Sequence, residues 1–118
     1  MAQRLLHFKE TSIFTKQVDK LASIEILTAL QDELIENPER GVIIAGTNGA
    51  RKARIGDKAQ KRGKSGSFRY IYVYFEHAGI IYLLLFYAKN EQDTLSAEEK
   101  KEVAAFISQT KRNLEKGK

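Results

Sequence analysis

The sequence predicts a single α+β domain, spanning residues 1–118, in which helices pack on a mainly antiparallel sheet. Of its 118 residues, 42% are hydrophobic, which is enough for a folded domain with a modest core. Two long strand patterns, Phe68–Phe75 and Ile80–Ala88, are separated only by a short turn signal, as in a β-hairpin. Helical periodicity occurs before and after them. The expected order is strand, helix, helix, strand, strand, strand, helix.

The N-terminal part predicts one strand and two helices. Arg4–Glu10 alternates as a short strand, and Thr11-Ser12 can cap the first helix. Ser23 can cap the second helix, and Asn37-Pro38 ends it because the residue before a proline avoids the helical conformation. Apolar residues that recur at helical spacing form the inward stripe of this second helix: Ile24, Leu27, Leu30 and Leu34.

The segment from Glu39 to Ala50 reads as a loop. Its apolar run, Val42-Ile43-Ile44, is expected to tuck beneath the sheet. Thr47-Asn48-Gly49 is a turn signal that leads into the second strand, Arg51–Ile55.

The period of two assigns the side chains of the strands to faces. Lys52 and Arg54 share one face of the second strand. In the third strand one face carries Arg69, Ile71, Val73 and Phe75, and the other carries Phe68, Tyr70, Tyr72 and Tyr74. Tyrosines on such strands are expected to pack in the core, with stacking on nucleic-acid bases as the second possibility.

The C-terminal part predicts a turn, a central strand and a helix. Glu76–Gly79 is the hairpin turn, and Ile80–Ala88 is nearly all apolar, as in a strand covered on both faces. Ser96-Ala97-Glu98-Glu99 is a capping box that begins the last helix. Its inward stripe comprises Val103, Phe106, Ile107, Thr110 and Leu114.

Composition limits the function classes. There is no cysteine, which fits a reducing cytosol and excludes disulfides, and the lone His7 and His77 form no metal-ligand cluster. No secretory signal is visible, and Ile80–Ala88 is too short to cross a bilayer. We therefore expect a cytoplasmic protein with no cofactor, no metal and no membrane contact.

The positive charge is local. The net charge is +5, but the segment from Arg51 to Arg69 alone carries +7, so the rest of the chain carries −2. Such a patch attracts phosphates, an acidic partner protein or both. Four of its cations lie in the glycine-rich loop between the second and third strands: Lys58, Lys61, Arg62 and Lys64. The spacing around Gly63-Lys64-Ser65 fails the nucleotide-binding phosphate loop, so a flexible arm along a nucleic-acid backbone is the better interpretation.

A second group of polar residues lies on the strands or just past them: Lys52, Arg54, Arg69, Lys89 and Asn90. This set suits metal-independent RNA cleavage, in which the ribose 2′-OH attacks the adjacent phosphate. Arginine forks can hold the phosphate, and a lysine crowded by other cations can become a useful base.

The sequence resembles the RelE/ParE superfamily, in the HigB-like branch of type II toxin–antitoxin toxins. The order and spacing of five segments carry the resemblance: Glu36-Asn37-Pro38, Gly46–Arg54, Lys61–Gly66, Phe68–Tyr72 and Tyr87–Glu91. It implies a RelE-like fold, with two N-terminal helices on a four-stranded sheet, and an mRNA endonuclease acting in the ribosomal A site. It also implies two partners, a cognate antitoxin and the 70S ribosome with its mRNA and ribosomal RNA.

By position, the resemblance makes Lys52 and Arg54 the basic pair of the second strand and Arg69 the phosphate-holding arginine. Lys89 and Asn90 lie where the family places its last active-site group, often an arginine or a histidine. Asn90 departs from this pattern, because an asparagine supplies no charge and shuttles no proton. Lys52 is the preferred base, Lys89 a candidate acid, and the loop lysines are expected to bind ribosomal RNA.

Two alternatives remain open at the level of sequence. A ParE-like toxin would inhibit DNA gyrase without nuclease activity, although the retained Lys52, Arg54 and Arg69 favour the nuclease. A basic nucleic-acid-binding module without catalysis would also explain the charge.

Overall fold

A computed structural model of the chain describes residues 5–56, 68–90 and 94–116. Within these ranges three α-helices and five strands form an α+β fold, as predicted, and no helix there is long and apolar enough to cross a membrane. The elements are β1 (His7–Glu10), α1 (Ser12–Leu21), α2 (Ile24–Glu36), β2 (Val42–Ile43), β3 (Arg51–Ile55), β4 (Phe68–Phe75), β5 (Ile80–Ala88) and α3 (Ala97–Lys116).

One sheet organises the fold, with the strand order β1-β5-β4-β3-β2. All neighbours are antiparallel except β1, which runs parallel to β5. The predicted hairpin turn between β4 and β5 is a short 3-10 turn that closes at Gly79 with a left-handed φ of 65°. β5 is the central apolar strand, as predicted, and is covered on both faces.

A bulge in β5 joins the sheet to α1. Ile71 pairs with Leu85 and Tyr72 with Leu83, so Leu84 is the extra residue. Thr11, the predicted N-cap of α1, donates its backbone N–H to Leu83 O at 3.0 Å and its hydroxyl to Leu84 O at 2.8 Å. The bulge carbonyls are therefore satisfied by the same residue that begins the helix.

Each face of the sheet has its own core. The helix-pair face, which we define as the face under α1 and α2, buries Tyr70 and Tyr72 against Phe14, Leu30 and Leu34. The α3 face, on the opposite side, buries Ile71, Val73 and Phe75 against Val103 and Ile107 of α3. The predicted assignment of β4 side chains to two faces is thus confirmed, and its buried tyrosines pack in the core.

The N-terminal strand is shorter than predicted. Arg4 lies outside the described residues, and Leu5 and Leu6 precede β1, with the Leu5 side chain 82% exposed. β1 begins only at His7, because its parallel partner β5 begins at Ile80, the residue paired with His7.

The loop prediction is wrong for Val42 and Ile43, whereas Ile44 packs against the core of the α3 face as expected. Val42 and Ile43 form the edge strand β2, paired with Lys52 and Arg51, so the sheet has five strands rather than four. Both side chains are exposed, by 74% and 55%, instead of tucked beneath the sheet. The physical reason is the turn that follows, which reverses the chain and returns it along this segment as β3.

The stripe predicted for α2 is rotated. Leu30 and Leu34 are buried as expected and Leu27 is partly buried, but Ile26 takes the place of Ile24, which is 69% exposed. The buried residues of α2 repeat at four-residue intervals, and Ile24 lies on the flank of that stripe, in the first turn.

The predicted turn at residues 47–49 fixes where β3 begins. Asn48 and Gly49 have φ values of 60° and 109°, which close the turn. Thr47 is fully buried; its hydroxyl donates to Ile44 O at 2.6 Å and accepts from Ala50 N–H at 3.1 Å. The Asn48 amide donates to Ala104 O and to Ser108 Oγ, which fastens the turn to α3.

Thr47→Val should lower the free energy of unfolding by about 1–3 kcal/mol, because an isosteric methyl removes the hydrogen bonds to the partly buried Ile44 carbonyl and the buried Ala50 N–H. Urea denaturation measures the change. Thr28→Val is the matched control, since Thr28 is exposed on α2 and its replacement should stay within about 0.5 kcal/mol. Equal effects of the two substitutions would contradict the role assigned to Thr47.

Candidate active site

The pairing of β3 with β4 places two cations opposite each other. Arg54 and Arg69 are Cα partners in the antiparallel register. Ile44 N–H donates to Ala50 O, so by alternation the backbone groups of Lys52 and Arg54 also point toward β2. Arg54 and Arg69 therefore form a non-hydrogen-bonded pair, in which the Cα atoms are about 4.5 Å apart and the side chains lie closest.

Both arginines lie on the α3 face. Ala53 and Ile55 are buried on the helix-pair face, so the side chain of Arg54, which lies between them, belongs to the opposite face. Arg69 alternates with Tyr70 in the same way, and its other Cα partner is Tyr87, which belongs to the core of the α3 face. The row across the sheet is thus Arg54, Arg69, Tyr87.

Arg69 is the more constrained of the two. Only 4% of its surface is exposed, and its Nη1 donates to Phe68 O at 3.3 Å. Arg54 is exposed. Guanidinium groups on neighbouring strands of one face can hold an anion from two directions.

Lys52 lies in the adjacent row of the same face. Its Cα partners are Val42 on β2 and Ile71 on β4, and it is partly buried. The structure therefore brings Lys52, Arg54 and Arg69 together, with the lysine on the side toward the start of β3.

Lys89 and Asn90 follow the end of β5 and are exposed. Ala88 pairs with Phe68, and Phe68 pairs with Ile55, so these two residues lie at the sheet end where β3 finishes and β4 begins. That is also the end nearest Arg54 and Arg69. The four predicted loop cations, Lys58, Lys61, Arg62 and Lys64, lie outside the described residues.

On the helix-pair face, side chains fasten the segment between α2 and β2 to the sheet. The Tyr72 hydroxyl donates to Pro38 O at 2.7 Å and accepts from Gly41 N–H at 2.9 Å. Arg51 Nη1 donates to Glu39 O and to Gly41 O. A Cβ at Gly41 would lie 2.9 Å from Tyr72 Cε1, so the close approach requires glycine.

Arg40 extends these contacts to the candidate site. Its Nη1 lies 3.0 Å from the Tyr70 hydroxyl, 3.0 Å from Glu33 Oε1 and 3.3 Å from Arg54 O. Burial raises the pKa of Tyr70 above its ordinary range, so this phenol stays neutral. Burial alone would lower the pKa of Arg40, but Tyr70 and Glu33 outweigh it and the pKa is raised.

Two grooves lined by described residues lie away from the candidate site. One, of about 430 Å³, is lined by His77, Lys111 and Leu114, and the other, of about 320 Å³, by Tyr82, Phe106 and Leu114. Both flank the C-terminal half of α3, at the end of the sheet where β4 turns into β5. The candidate site lies at the opposite end of the sheet.

Sequence reasoning missed Glu33, Arg40 and Tyr70 as neighbours of the site. The Arg40–Tyr70 contact joins residues 30 positions apart, and the Arg40–Glu33 ion pair forms only after the chain turns at the end of α2, so the sequence has no local signal for either. The edge strand β2 was also missed, although an apolar pair before Thr47-Asn48-Gly49 is a hairpin signal that could have indicated it.

Comparisons with known proteins agree on the fold. No protein-family model matches the chain. Three solved structures from Escherichia coli share 16% identity with it. The isolated RelE toxin has a TM-score of 0.54 and is matched over 91% of this chain and 97% of its own. A free RelE mutant has a TM-score of 0.55, with 75% and 88% coverage.

The third structure is the intact RelBE toxin–antitoxin complex, with a TM-score of 0.52 and coverage of 69% of this chain and 93% of that chain. At this level of identity the likeness shows the fold alone. The protein therefore has a RelE-like α+β fold, as the resemblance implied, with five strands in its sheet rather than the expected four.

Arg54→Gln should raise the free energy of unfolding by about 0.2–1 kcal/mol at low salt, because like charges directly opposite on neighbouring strands repel. The gain should shrink as salt screens the pair. Lys9→Gln is the control, since Lys9 is an exposed cation on β1 whose Cα partner is Tyr82. Denaturant titrations at low and high ionic strength measure the stability of the two variants. A loss of stability in Arg54→Gln would contradict the like-charge pairing of Arg54 with Arg69.

Proposed function

We propose that this chain is one toxin domain, residues 1–118, of a type II toxin–antitoxin module, and that it cleaves mRNA in the ribosomal A site. The observation that carries the proposal is the register that sets Arg54 opposite Arg69, with Lys52 on the same face. The RelE-like fold supports it. The motifs from Gly46 to Arg54 and from Tyr87 to Glu91 favour the HigB-like branch.

The cleavage chemistry follows from these residue types. Arg54 and Arg69 hold the scissile phosphate and stabilise the extra negative charge that develops on it. Lys52 takes the proton of the ribose 2′-OH as its oxygen bonds to phosphorus. The bond from phosphorus to the 5′ oxygen breaks, which yields a cyclic 2′,3′-phosphate and a free 5′-hydroxyl end.

The leaving 5′ oxygen needs a proton. Lys89 is the proposed donor, because it follows β5 at the sheet end nearest the two arginines. Asn90 can orient a phosphate or a base by hydrogen bonds but cannot transfer the proton. The loop cations Lys58, Lys61, Arg62 and Lys64 are the proposed grip on ribosomal RNA.

An antitoxin is the proposed protein partner. One of the similar structures is a toxin–antitoxin complex, and the strongly positive segment from Arg51 to Arg69 would attract acidic side chains of such a partner. The ribosome and the antitoxin would then meet the toxin in the cytoplasm, which fits a chain without cysteine.

The test is to add the purified protein to a reconstituted translation system and to map the mRNA 5′ ends, with and without ribosomes. We expect new ends within the A-site codon only when ribosomes are present. Intact mRNA in both arms, with growth still arrested on expression in cells, would overturn the nuclease and favour gyrase inhibition.

In the same system Arg69→Ala should slow cleavage by about 10²–10³-fold, the loss typical of one transition-state donor. Co-sedimentation with ribosomes should change little, and Lys9→Ala should behave as wild type. If no RNA is cut and Lys52→Ala and Lys58→Ala weaken RNA binding alike, the protein is a binding module instead.

A further inference from the structure

The carbonyl of Arg54 lies where the sheet lacks a neighbouring strand. Its backbone groups point toward β2, but β2 starts at Val42, which pairs with Lys52. Continuing that register would put residue 40 opposite Arg54. Residue 40 is outside the strand, so the ladder supplies no backbone donor at this position.

The side chain of Arg40 takes the place of that donor. Its Nη1 donates to Arg54 O at 3.3 Å and to the Tyr70 hydroxyl at 3.0 Å, and lies 3.0 Å from the buried Glu33 Oε1. Tyr70 belongs to β4, next to Arg69 in sequence. One guanidinium nitrogen therefore connects the backbone of Arg54, the strand of Arg69 and the end of α2.

Arg40 is itself held in place. Its backbone N–H donates to Asn37 O at 3.1 Å, one turn after the end of α2, and its side chain is only 32% exposed. A planar guanidinium with partners on three elements is a more rigid support than a flexible side chain with a single contact.

We propose that Arg40 is a positioning residue that sets Arg54 relative to Arg69 for the scissile phosphate. The inference rests on the nuclease proposed above. Arg40 approaches from the helix-pair face and touches no substrate. It acts through the carbonyl of Arg54, at the end of β3 that precedes residues 57–67, where the β2 ladder no longer constrains the strand.

Arg51 provides a matched comparison. It is also an arginine of this face, with Nη1 bonded to Glu39 O and Gly41 O, and Nη2 3.6 Å from Glu39 Oε2. Those contacts fasten the segment before β2 and do not reach Arg54. Loss of Arg51 should thus cost stability without displacing the candidate site.

The experiment compares Arg40→Met, Arg51→Met and Arg40→Lys in single-turnover cleavage on programmed ribosomes, with melting temperatures in parallel. We expect Arg40→Met to lower the cleavage rate about tenfold or more, as a small misplacement does, while the half-saturating ribosome concentration stays within about twofold. Arg51→Met should keep a rate within about threefold of wild type, and Arg40→Lys should recover part of the loss.

NMR relaxation of the backbone amides in the free protein measures local mobility without any cleavage assay. Arg40→Met should increase the mobility of residues 53–55, whereas Arg51→Met should not. If Arg40→Met does not fold, Tyr70→Phe removes one partner of Arg40 and should give a smaller effect of the same sign, with Tyr72→Phe as its control.

Two results would overturn the positioning role of Arg40. The first is a cleavage rate that falls in parallel with the melting temperature in both Arg40→Met and Arg51→Met. The second is unchanged mobility of residues 53–55 in Arg40→Met. The two proposals fail separately. A wild-type protein that leaves mRNA intact refutes the nuclease, and the relaxation measurement still decides whether Arg40 holds Arg54.

Discussion

The register between β3 and β4 is the constraint on which the candidate site depends. It sets Arg54 directly opposite Arg69 on the α3 face, an arrangement that two cations would not adopt unaided. Burial of apolar side chains on the opposite face stabilises this register against the repulsion between the arginines. Ala53 and Ile55 of β3 and Tyr70 of β4 are buried there, so a slip of β3 by one residue would turn Ala53 and Ile55 out of this core and Arg54 into it. The hydrophobic core therefore fixes the position of the charges.

Two guanidinium groups held on one face can both donate hydrogen bonds to a phosphate that lies between them. The rigid support comes from behind the sheet. Tyr72 and Arg51 fasten the segment before β2, and Arg40 reaches the carbonyl of Arg54. Polar contacts on the helix-pair face thus support the arginine pair on the α3 face.

Much of this could be predicted from the sequence, because side chains alternate strictly along a strand. Arg69 was correctly assigned to the face of Ile71 and Val73, and the capping box at Ser96 is present, with Ser96 and Glu99 hydrogen-bonded to each other's backbone N–H. Strand β2 was missed since two residues show no periodicity, and the bulge at Leu84 since an uninterrupted apolar run shows no change of face. The contacts of Arg40 depend on tertiary packing alone. The roles of Lys52, Arg54, Arg69, Lys89 and Asn90 in catalysis remain predictions.

In the proposed mechanism Arg54 and Arg69 hold one and the same phosphate. A double-mutant cycle of cleavage rates on programmed ribosomes, with Arg54→Gln, Arg69→Gln and the combined variant, tests it most directly. Groups that act on one phosphate should be strongly non-additive, so the second substitution should cost much less once the first is present. Additive losses, within about 0.5 kcal/mol, would show that the two arginines act independently and would contradict the claim.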